Sequence, residues 1–398
     1  MPILVLNCGS SSVKFAVIDP TIGSHLIVGL GQRLDSPQAT LNWQDATGNH
    51  EQARAGASHE IIIGEIAKLL ERTGQLTHVV GIGHRVVHGG SRFARSVLIN
   101  DQVEAGIEAC NHLGPLHNPP NLIGIRLCGR FFPGLKQAAV FDTAFHQTMP
   151  AKAFRYAVPD EWYFKHDVRR YGFHGTSHRF VTSEAARRLA LPPERCQFVI
   201  AHLGNGCSAT AVKNGQSVDT TMGLTPLEGL VMGTRSGDID PAVIGYMADR
   251  LGCDAKKVID ILNKQSGLLG LSGVSNDMRV LLAAAEAGNE KARLAIDVFS
   301  YRLAKHLLGL CAALERLDAV IFTGGIGENS PPIRAATVAQ LKVLGLELDP
   351  AANAVHGAAH GSRISSPQSI PVLVVSTNEE LLIARDTAES KASGRDGV

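Results

Sequence analysis

The sequence predicts an α/β protein built from two related domains. Apolar, strand-like runs alternate with helical patterns along the 398 residues, which is typical of α/β folds. Two segments, 3–19 and 197–212, share one plan: an apolar strand, a glycine-containing turn and a second strand. They lie about 195 residues apart, close to half the chain. A duplicated domain with a cleft between the halves is the simplest explanation.

Composition excludes several classes of protein. The formal net charge is +1, so no overall field attracts the chain to nucleic acid or to an anionic membrane. No apolar run approaches the roughly 18 residues of a membrane-spanning helix. The seven cysteines are scattered and contain no C-x-x-C pair, which predicts reduced thiols in a cytoplasmic protein and no zinc site.

The first element is a hairpin around NCGSSSVKF, which begins at Asn7 directly after the apolar run 3–6. A plain hairpin turn needs about two turn residues. This one offers a glycine, three serines, an amide and then Lys14. Such groups suit an oxyanion or a hydrated metal, although an ordinary turn can have the same composition.

Two further strands end in charged residues. The stretch HVVGIGHRVVHGG (78–90) predicts a strand that enters a loop at Arg85 and Val87. Because these residues are two apart, both side chains are expected on one face of an extended segment. The stretch KQAAVFDTAFH (136–146) predicts a buried strand that ends in Asp142. An arginine at a strand end is by itself usually a surface residue.

Three glycine-rich turns follow predicted strands, at 7–12, 202–206 and 324–329. Glycine lets backbone N–H groups approach a phosphate closely. Each turn alone is more simply an ordinary connection, but three of them with Asn, Ser or Thr nearby indicate nucleotide binding. Neither the P-loop pattern nor the dinucleotide pattern G-x-G-x-x-G occurs in these turns.

Histidine and arginine loops follow the same logic. RRYGFHGTSH places His174 and His178 four residues apart, but Gly175 and the absence of H-E-x-x-H argue against a metal-binding helix. His174 is a candidate to stabilise phosphate charge, with an exposed loop histidine as the simpler alternative. MGTRSGDIDP places Arg235 in a loop of small residues, where local pairing with aspartate is the simpler alternative.

Helical periodicity extends over 240–263 and 287–315. Near the C-terminus, a strand in IPVLVV precedes Thr377 and Glu380, whose spacing predicts a capping box at the start of a helix. Glu379 falls in the first turn of that helix, where the helix dipole favours an acid in any protein. Residues 390–398 are expected to fray.

Together these motifs form a series that resembles the acetate kinase (acetokinase) family over nearly the whole chain. In chain order the series is NCGSSSVKF, GHRVVHGG, LGPLHNPPNLIGI, FDTAFH, YGFHGTSH, HLGNGCS, TPLEGLVMGTRSGDIDP, GGIGENS and STNEELLIA. So many motifs in fixed order leave little room for coincidence.

The resemblance implies the actin-like, ribonuclease H-like fold, with two duplicated α/β domains around a central cleft. It implies an N-terminal domain at 1–147 with a returning C-terminal helix at 381–398, and a nucleotide-binding domain at 148–380. The implied activity is reversible, in-line transfer of the γ-phosphoryl group of ATP to acetate, which gives acetyl phosphate and ADP. Mg²⁺ is the implied cofactor, with Mn²⁺ able to replace it, and the implied assembly is a homodimer.

The resemblance also implies roles for individual residues. Those for metal, acid and phosphoryl chemistry are Asn7 and Glu379 for magnesium, Arg85 for the substrate carboxylate, Val87, Leu116 and Phe173 for the acetate methyl group, and Asp142, His174 and Arg235 for catalysis. Those that line the nucleotide are Lys14, His202, Leu203, Gly204, Asn205, Gly206, Asp277, Met278, Arg279, Gly325, Ile326, Gly327, Glu328 and Asn329.

The chemistry of this reaction is mainly electrostatic. Acetate is already ionised at pH 7, so no strong base is needed, but an anion must approach an anionic triphosphate. Asp142 is therefore expected to organise a magnesium-bound water or an arginine, with proton transfer secondary. Cys8 stands where the family usually has alanine, and its thiol is expected beside the metal and phosphate site.

Alternatives of three kinds stay open. A propionate or butyrate kinase of the same family shares nearly all the motifs, and Val87 is the residue that limits room for a longer acid. An actin-like nucleotide-binding protein without an acid substrate would not need Arg85, His174 and Arg235. A metal-dependent hydrolase would need a tighter ligand set than the His and Asp loops provide.

Overall fold

The structure, a computed structural model, describes residues 1–393, and its chain separates into two compact units. Unit 1 comprises Met1–Gln147 and the segment from Asn378 onward, and unit 2 comprises Thr148–Thr377. Helix Glu379–Ser393 therefore returns to unit 1. Of the returning segment 381–398 and the tail 390–398, residues 394–398 lie outside the described residues.

The elements follow in chain order. Unit 1 begins with β1 (Ile3–Gly9), β2 (Ser12–Ile18), β3 (His25–Gln32), β4 (Thr40–Asp45), β5 (Gly48–Ala53), α1 (His59–Arg72), β6 (Ile82–Val86), β7 (Val97–Leu98), α2 (Asp101–Ala109), α3 (Asn118–Phe131) and β8 (Gln137–Phe141). Unit 2 contains α4 (Ala151–Phe154), α5 (Asp160–His166), α6 (Gly175–Arg188), β9 (Gln197–Leu203), β10 (Cys207–Lys213), β11 (Gln216–Thr220), α7 (Ala242–Leu251), α8 (Ala255–Lys264), α9 (Gly267–Ser272), α10 (Met278–Glu286), α11 (Glu290–Leu310), β12 (Ala319–Thr323), α12 (Gly324–Asn329), α13 (Pro331–Val338), α14 (Pro350–Ala354) and β13 (Val372–Val374). Unit 1 ends with α15 (Glu379–Ser393).

The two sheets repeat one strand order. The sheet of unit 1 runs β5-β4-β3-β2-β1-β6-β8-β7, and that of unit 2 runs β11-β10-β9-β12-β13. In each, three antiparallel strands are followed by two strands that pair in parallel: β3-β2-β1-β6-β8 in unit 1 and all five in unit 2. This shared order confirms the predicted duplicated α/β fold.

Alternation along β1 and β2 assigns the two faces of the unit 1 sheet. Leu6 and Phe15 pair across the strands and join an apolar cluster with Ile62 of α1. The opposite face carries Asn7 and Lys14, which also pair. On β6, Gly83 lies on this opposite face, and a side chain there would collide with Thr387 and Ile383 of α15. The sheet is therefore covered by α1 and α3 on one face and by α15 on the other.

Most predicted helices are present with changed limits. The periodic stretch 240–263 forms α7 and α8, and 287–315 forms α11 with a short 3₁₀ extension. The expected turn at 324–329 is instead the short helix α12, which begins directly after β12. Within residues 1–393, no helix combines the length and apolar character needed to cross a bilayer.

Candidate active site

The unit 1 sheet aligns three site residues predicted from the sequence. Asn7 of β1 pairs with Lys14 of β2, and β1 pairs with β6 up to Leu6 opposite His84, so Arg85 continues the row. Period-two alternation turns these side chains to the face that α15 covers. With the start of α15 they enclose a recess of about 80 Å³. This unit 1 recess is lined by Val5, Asn7, Lys14, Phe15, Arg85, Glu379, Glu380 and Ile383.

The first turn of α15 supplies the acids of the unit 1 recess. The predicted capping box at Thr377 is wrong, because Asn378 caps the helix: its Oδ1 accepts from the backbone N–H of Leu381 at 2.9 Å. Both residue types are good caps, and the chain uses the later one. Glu379 and Glu380 then occupy the turn where the helix dipole favours carboxylates. Glu380, which the sequence analysis assigned to the capping box and not to the site, pairs with Lys14 at 2.6 Å.

Asp142 accepts hydrogen bonds from Arg85 with both carboxylate oxygens. Arg85 donates from Nε to Oδ1 at 3.1 Å and from Nη2 to Oδ2 at 2.6 Å. Burial alone would lower the pKa of Arg85, but the carboxylates of Asp142 and Glu379 outweigh burial and raise it. A guanidinium carries five N–H donors, and this pairing uses two of them. The Nη1 side of the guanidinium keeps donors for an anion. Asp142 thus orients the guanidinium of Arg85.

Side chains hold the loop that follows Arg85. The N–H groups of four successive residues, 87–90, donate at 3.0–3.1 Å to Asn121 Oδ1, Asn118 Oδ1, Thr143 Oγ1 and His88 Nδ1. Because each of these N–H groups already donates to a side chain, they are not available to bind a phosphate. Strand β6 ends at Val86. Strand alternation therefore does not determine whether the side chain of Val87 lies on the same face as that of Arg85. Val87 is buried, whereas Leu116 exposes 66% of its surface.

The expectation that the Cys8 thiol lies beside the metal and phosphate site is wrong. Cys8 follows Asn7 on a strand, so its side chain points to the opposite face, where it is 3% exposed in the apolar cluster. A Cβ on Gly124 of α3 would lie only 2.4 Å from its sulfur. Burial raises the pKa of the Cys8 thiol to about 12.

In unit 2, hydroxyl groups connect the histidines. Ser208 Oγ lies 2.9 Å from His174 Nδ1 and 2.8 Å from His178 Nε2, and Ser177 Oγ lies 2.8 Å from His202 Nδ1. The rings of His174 and His202 stack with centroids 4.4 Å apart. A hydroxyl has one proton to donate, so His174 and His178 cannot both present a lone pair to Ser208. Their tautomers are therefore linked.

Arg235 lies next to His174 in the same unit. His174 has a left-handed backbone, with φ of 57°, directly before α6. A Cβ on Gly206 would lie 2.8 Å from Arg235 Nη2 and 3.5 Å from the His174 ring. Arg235 donates to the carbonyl of Pro226 at 2.7 Å, and burial lowers its pKa. Phe173, predicted for the methyl pocket, is buried in unit 2.

The three segments predicted to line the nucleotide converge in unit 2. Asn205 accepts a bond from Asn276, the neighbour of Asp277, at 3.0 Å. Gly324 has φ of 75°, and a Cβ there would lie 2.8 Å from the carbonyl oxygen of Leu203. The end of β9, the start of α10 and the short helix α12 are thus in contact. Asp277 caps α10 and pairs with the exposed Arg279, which lowers the pKa of Asp277 to about 2.

The carboxylate of Glu328 bonds to the backbone at the start of α12 and after β13. Its Oε1 accepts from the backbone N–H of Gly324 at 2.9 Å and of Thr377 at 3.2 Å. At the other end of α12, the buried Arg334 donates at 2.9 Å to the carbonyls of Gly327 and Glu328. Gly325 faces open space, so the start of α12 stays accessible.

The unit 1 recess suits Mg²⁺ better than a tightly ligated transition metal. Mg²⁺ keeps several waters and uses one or two carboxylates in addition to substrate phosphates. The amide of Asn7 and the carboxylate of Glu379 line the same recess, which fits that ligand set. Among residues 1–393, no group of three or more His, Cys, Asp or Glu is arranged to hold a metal.

The repeated strand order, with a glycine-rich hairpin at the centre of each sheet, places the protein among the actin-like α/β kinases. The acetokinase family model matches residues 2–385. An acetate kinase of Stutzerimonas stutzeri (strain A1501) is 51% identical over 385 residues, 97% of each chain. The chain belongs to the acetokinase family, as the sequence motifs predicted.

Solved structures agree with this assignment. A propionate kinase from Francisella tularensis subsp. tularensis SCHU S4 is 46% identical, with a TM-score of 0.94 over 98% of this chain and 99% of that chain. An acetate kinase from Porphyromonas gingivalis is 40% identical, with a TM-score of 0.92 and the same coverage. Relatives this similar therefore include kinases named for two different acids.

Sequence reasoning missed the residues that hold the site rather than form it. Asn118, Asn121 and Thr143 fix the loop after Arg85, and Ser208 bridges two histidines. The signal in the sequence was that all four lie within motifs of the series: both asparagines in LGPLHNPPNLIGI, Thr143 in FDTAFH and Ser208 in HLGNGCS.

Proposed function

We propose that this protein is an acetate kinase, which transfers the γ-phosphoryl group of ATP to acetate and forms acetyl phosphate and ADP. The observation that carries the proposal is the unit 1 recess, where Asn7, Lys14, Arg85 and Glu379 line one small space. Arg85 is oriented by Asp142 and keeps donors for a second carboxylate. ATP binding alone does not require an arginine prepared in this way.

The proposed mechanism relies on charge neutralisation and positioning. The acetate carboxylate binds the Nη1 edge of Arg85, and Asp142 acts as the positioning residue for that fork. His174 and Arg235 of unit 2 donate to the phosphoryl group as charge develops on its oxygens. Loss of one such donor typically costs about 10²–10³ in kcat. Acetate needs no deprotonation, so no residue is assigned as a general base.

The nucleotide and the metal have separate proposed sets of ligands. The backbone of the turn 204–206 and the open start of α12 bind ATP, with Asp277–Arg279 and Lys14 at its periphery. Asn7 and Glu379 hold Mg²⁺, which neutralises phosphate charge when bound. Support comes from the contacts that join the three unit 2 segments and from the shared recess of Asn7 and Glu379.

The choice of acid is tested directly by trapping acyl phosphate with hydroxylamine. The purified protein is incubated with ATP, Mg²⁺ and acetate, propionate or butyrate, and kcat/KM is measured for each acid. We expect acetate to be preferred, because the buried Val87 follows Arg85 closely and limits room beyond the first carbon. A preference for propionate would identify a propionate kinase, and no hydroxamate from any acid would refute the activity.

We also propose a homodimer formed through α7. This helix is largely apolar in sequence, yet none of its residues is buried. Val243, Tyr246 and Leu251 are exposed on it, and such a face usually marks an interface. The proposed occupant is the same face of a second copy, since most soluble oligomers are symmetric. Sedimentation should give twice the 42.3 kDa chain mass, and Tyr246→Glu should shift it toward one chain.

A further inference from the structure

The motif HNPPN has a defined place in the fold. Helix α3 begins at Asn118, and Pro119 and Pro120 occupy its first turn, where missing N–H groups cost nothing. Asn118 and Asn121 are three residues apart and therefore lie on one side of the helix. Both amides are almost fully buried, at 0% and 2% exposure. A buried amide must be satisfied by specific partners.

Asn121 joins two segments that are distant in sequence. Its Nδ2 donates to the carbonyl of Cys8 at 2.8 Å, next to Asn7 on β1. Its Oδ1 accepts from the N–H of Val87 at 3.1 Å, just after β6 and Arg85. Both ends of one rigid amide are thus used, and each partner is a main-chain group beside a residue of the unit 1 recess.

Asn118 has a narrower role. Its side chain bonds both the N–H and the carbonyl of His88, at 3.0 and 2.9 Å, and also reaches the carbonyl of Ile107. It makes no bond to the β1–β2 hairpin. Asn121 is thus the residue of this pair that fixes Val87 relative to the strand carrying Asn7.

We propose that Asn121 is a positioning residue that sets acid selectivity by holding Val87 at a fixed distance from the Asn7–Arg85 row. The inference rests on the proposed function. Sheet hydrogen bonds stop at Val86, so the amide of Asn121 supplies the bond that determines where the Val87 backbone lies. Without it the N–H is buried and unpaired, and the loop must shift to regain a partner. The side chain of Val87, which limits the space for the second carbon of propionate, then moves.

The test is the ratio of kcat/KM for propionate to that for acetate, measured in wild type and in Asn121→Ala. We expect the ratio to rise about five- to tenfold, the low end of what one methylene in an apolar pocket is worth. Asn100→Ala is the matched control, because Asn100 caps α2 in the same unit and its loss lowers stability without touching the loop. The control should keep the wild-type ratio of kcat/KM values. A loss of stability alone would therefore not explain a changed ratio in Asn121→Ala.

Further variants make the role of Asn121 specific. Asn121→Asp retains an acceptor for the Val87 N–H but loses the donor to the Cys8 carbonyl, so the ratio should still rise, because the link to β1 is broken. Val87→Ala should raise the ratio by itself, and adding Asn121→Ala to it should change the ratio little further, because both changes act on one wall. If Asn121→Ala does not fold, Asn121→Ser is measured in the same way, with the same rise expected.

The outcomes separate the inference from the proposed function. A wild type that forms no acyl phosphate from any acid overturns both. An active wild type with an unchanged ratio in the Asn121 variants, while Val87→Ala shifts it, overturns only the role of Asn121. Additive effects of the two changes would likewise show that Asn121 does not act through Val87.

Discussion

The hairpins β1–β2 and β9–β10 occupy equivalent positions in their sheets but present different chemistry. Each is antiparallel, and each has a parallel strand beside its first strand. In unit 1 the outward residues are Asn7 and Lys14, beside the ion-paired Arg85. In unit 2 the corresponding region holds Ser208 and His202, which bond to hydroxyl and imidazole groups.

This difference shows that the duplicated backbone is a scaffold and that side chains divide the work. The unit 1 recess depends on charge, because its long side chains are held by carboxylates. The unit 2 site depends on close approach, because its glycines touch neighbouring backbone and side chains. Unit 1 should therefore be most sensitive to loss of charge, and unit 2 to small additions of volume.

The largest effect is expected from Arg85→Ala. Removal of the guanidinium eliminates the proposed carboxylate anchor and the two-point bond to the buried Asp142. We expect kcat to fall by about 10²–10³, with a raised KM for acetate. Initial rates over a range of acetate concentrations measure both constants.

Arg85→Lys separates charge from geometry. Lysine keeps the positive charge but cannot form the two-point bond to Asp142, so it should recover only a small part of the lost activity. Wild-type constants in a folded Arg85→Ala protein would remove this residue from the site.

In unit 2, Gly206→Ala adds one methyl group where space is limited. Its Cβ would lie 2.8 Å from Arg235 Nη2, so the guanidinium must move away. A displacement of about 1 Å in a catalytic group can cost up to ~100-fold, and we expect kcat to fall about ten- to a hundredfold. Gly309→Ala is the control, since a Cβ there meets nothing within 4 Å. Equal activity of both variants would contradict the sensitivity of unit 2 to volume.

A smaller effect should follow from Glu328→Gln. Glutamine can still accept a bond, but it loses the charge that strengthens the bonds to Gly324 and Thr377. Because these bonds hold the start of α12, KM for ATP should rise about three- to tenfold while KM for acetate stays constant. A change confined to the acetate constant would show that α12 does not serve the nucleotide.

Local patterns in the sequence predicted the scaffold well. The two hairpins could be recognised because apolar runs and glycine turns are contiguous, and a long series of motifs identified the family. Alternation also predicts that neighbours on a strand face opposite ways, and applying it to Cys8 would have placed the thiol in the core. The error came from assigning the whole turn to one face.

Contacts between distant segments could not be predicted in this way. Asn121 lies 113 positions from Cys8 and 34 from Val87, so no local period reveals that it bridges them. The pairing of Arg85 with Asp142 spans 57 positions, although the chemistry suggested that Asp142 would organise an arginine. The cap of α15 was misplaced by one residue because Thr377 and Asn378 are both suitable.

The buried His84 of unit 1 should make the stability of the protein depend on pH. Burial lowers the pKa of His84 in unit 1 to about 4, against about 6.5 for an exposed histidine. Below pH 6.5 the unfolded chain binds a proton that the folded chain does not, so the free energy of unfolding falls until about pH 4. Between pH 7 and 5 the loss should be about 2 kcal/mol.

Urea unfolding of wild type and His84→Gln at pH 7 and 5 checks this expectation. The variant has no titrating group at this position, so it should lose less stability on acidification than the wild type. Equal losses would show that His84 is protonated in the folded protein.

The smallest effect on activity is expected from Cys8→Ala. The thiol packs against Gly124 on the face opposite Asn7, so its removal leaves the unit 1 recess intact. We expect kcat and KM within about twofold of wild type and a loss of stability of about 1 kcal/mol from the small cavity.

With its pKa raised to about 12 by burial, Cys8 should also resist alkylation at pH 8, equally with and without MgATP. Mass spectrometry of the labelled protein distinguishes Cys8 from the partly exposed Cys253 and Cys311. Rapid labelling of Cys8 that MgATP suppresses would return the thiol to the phosphate side of the sheet, and the alternation of β1 would then have to break at Asn7.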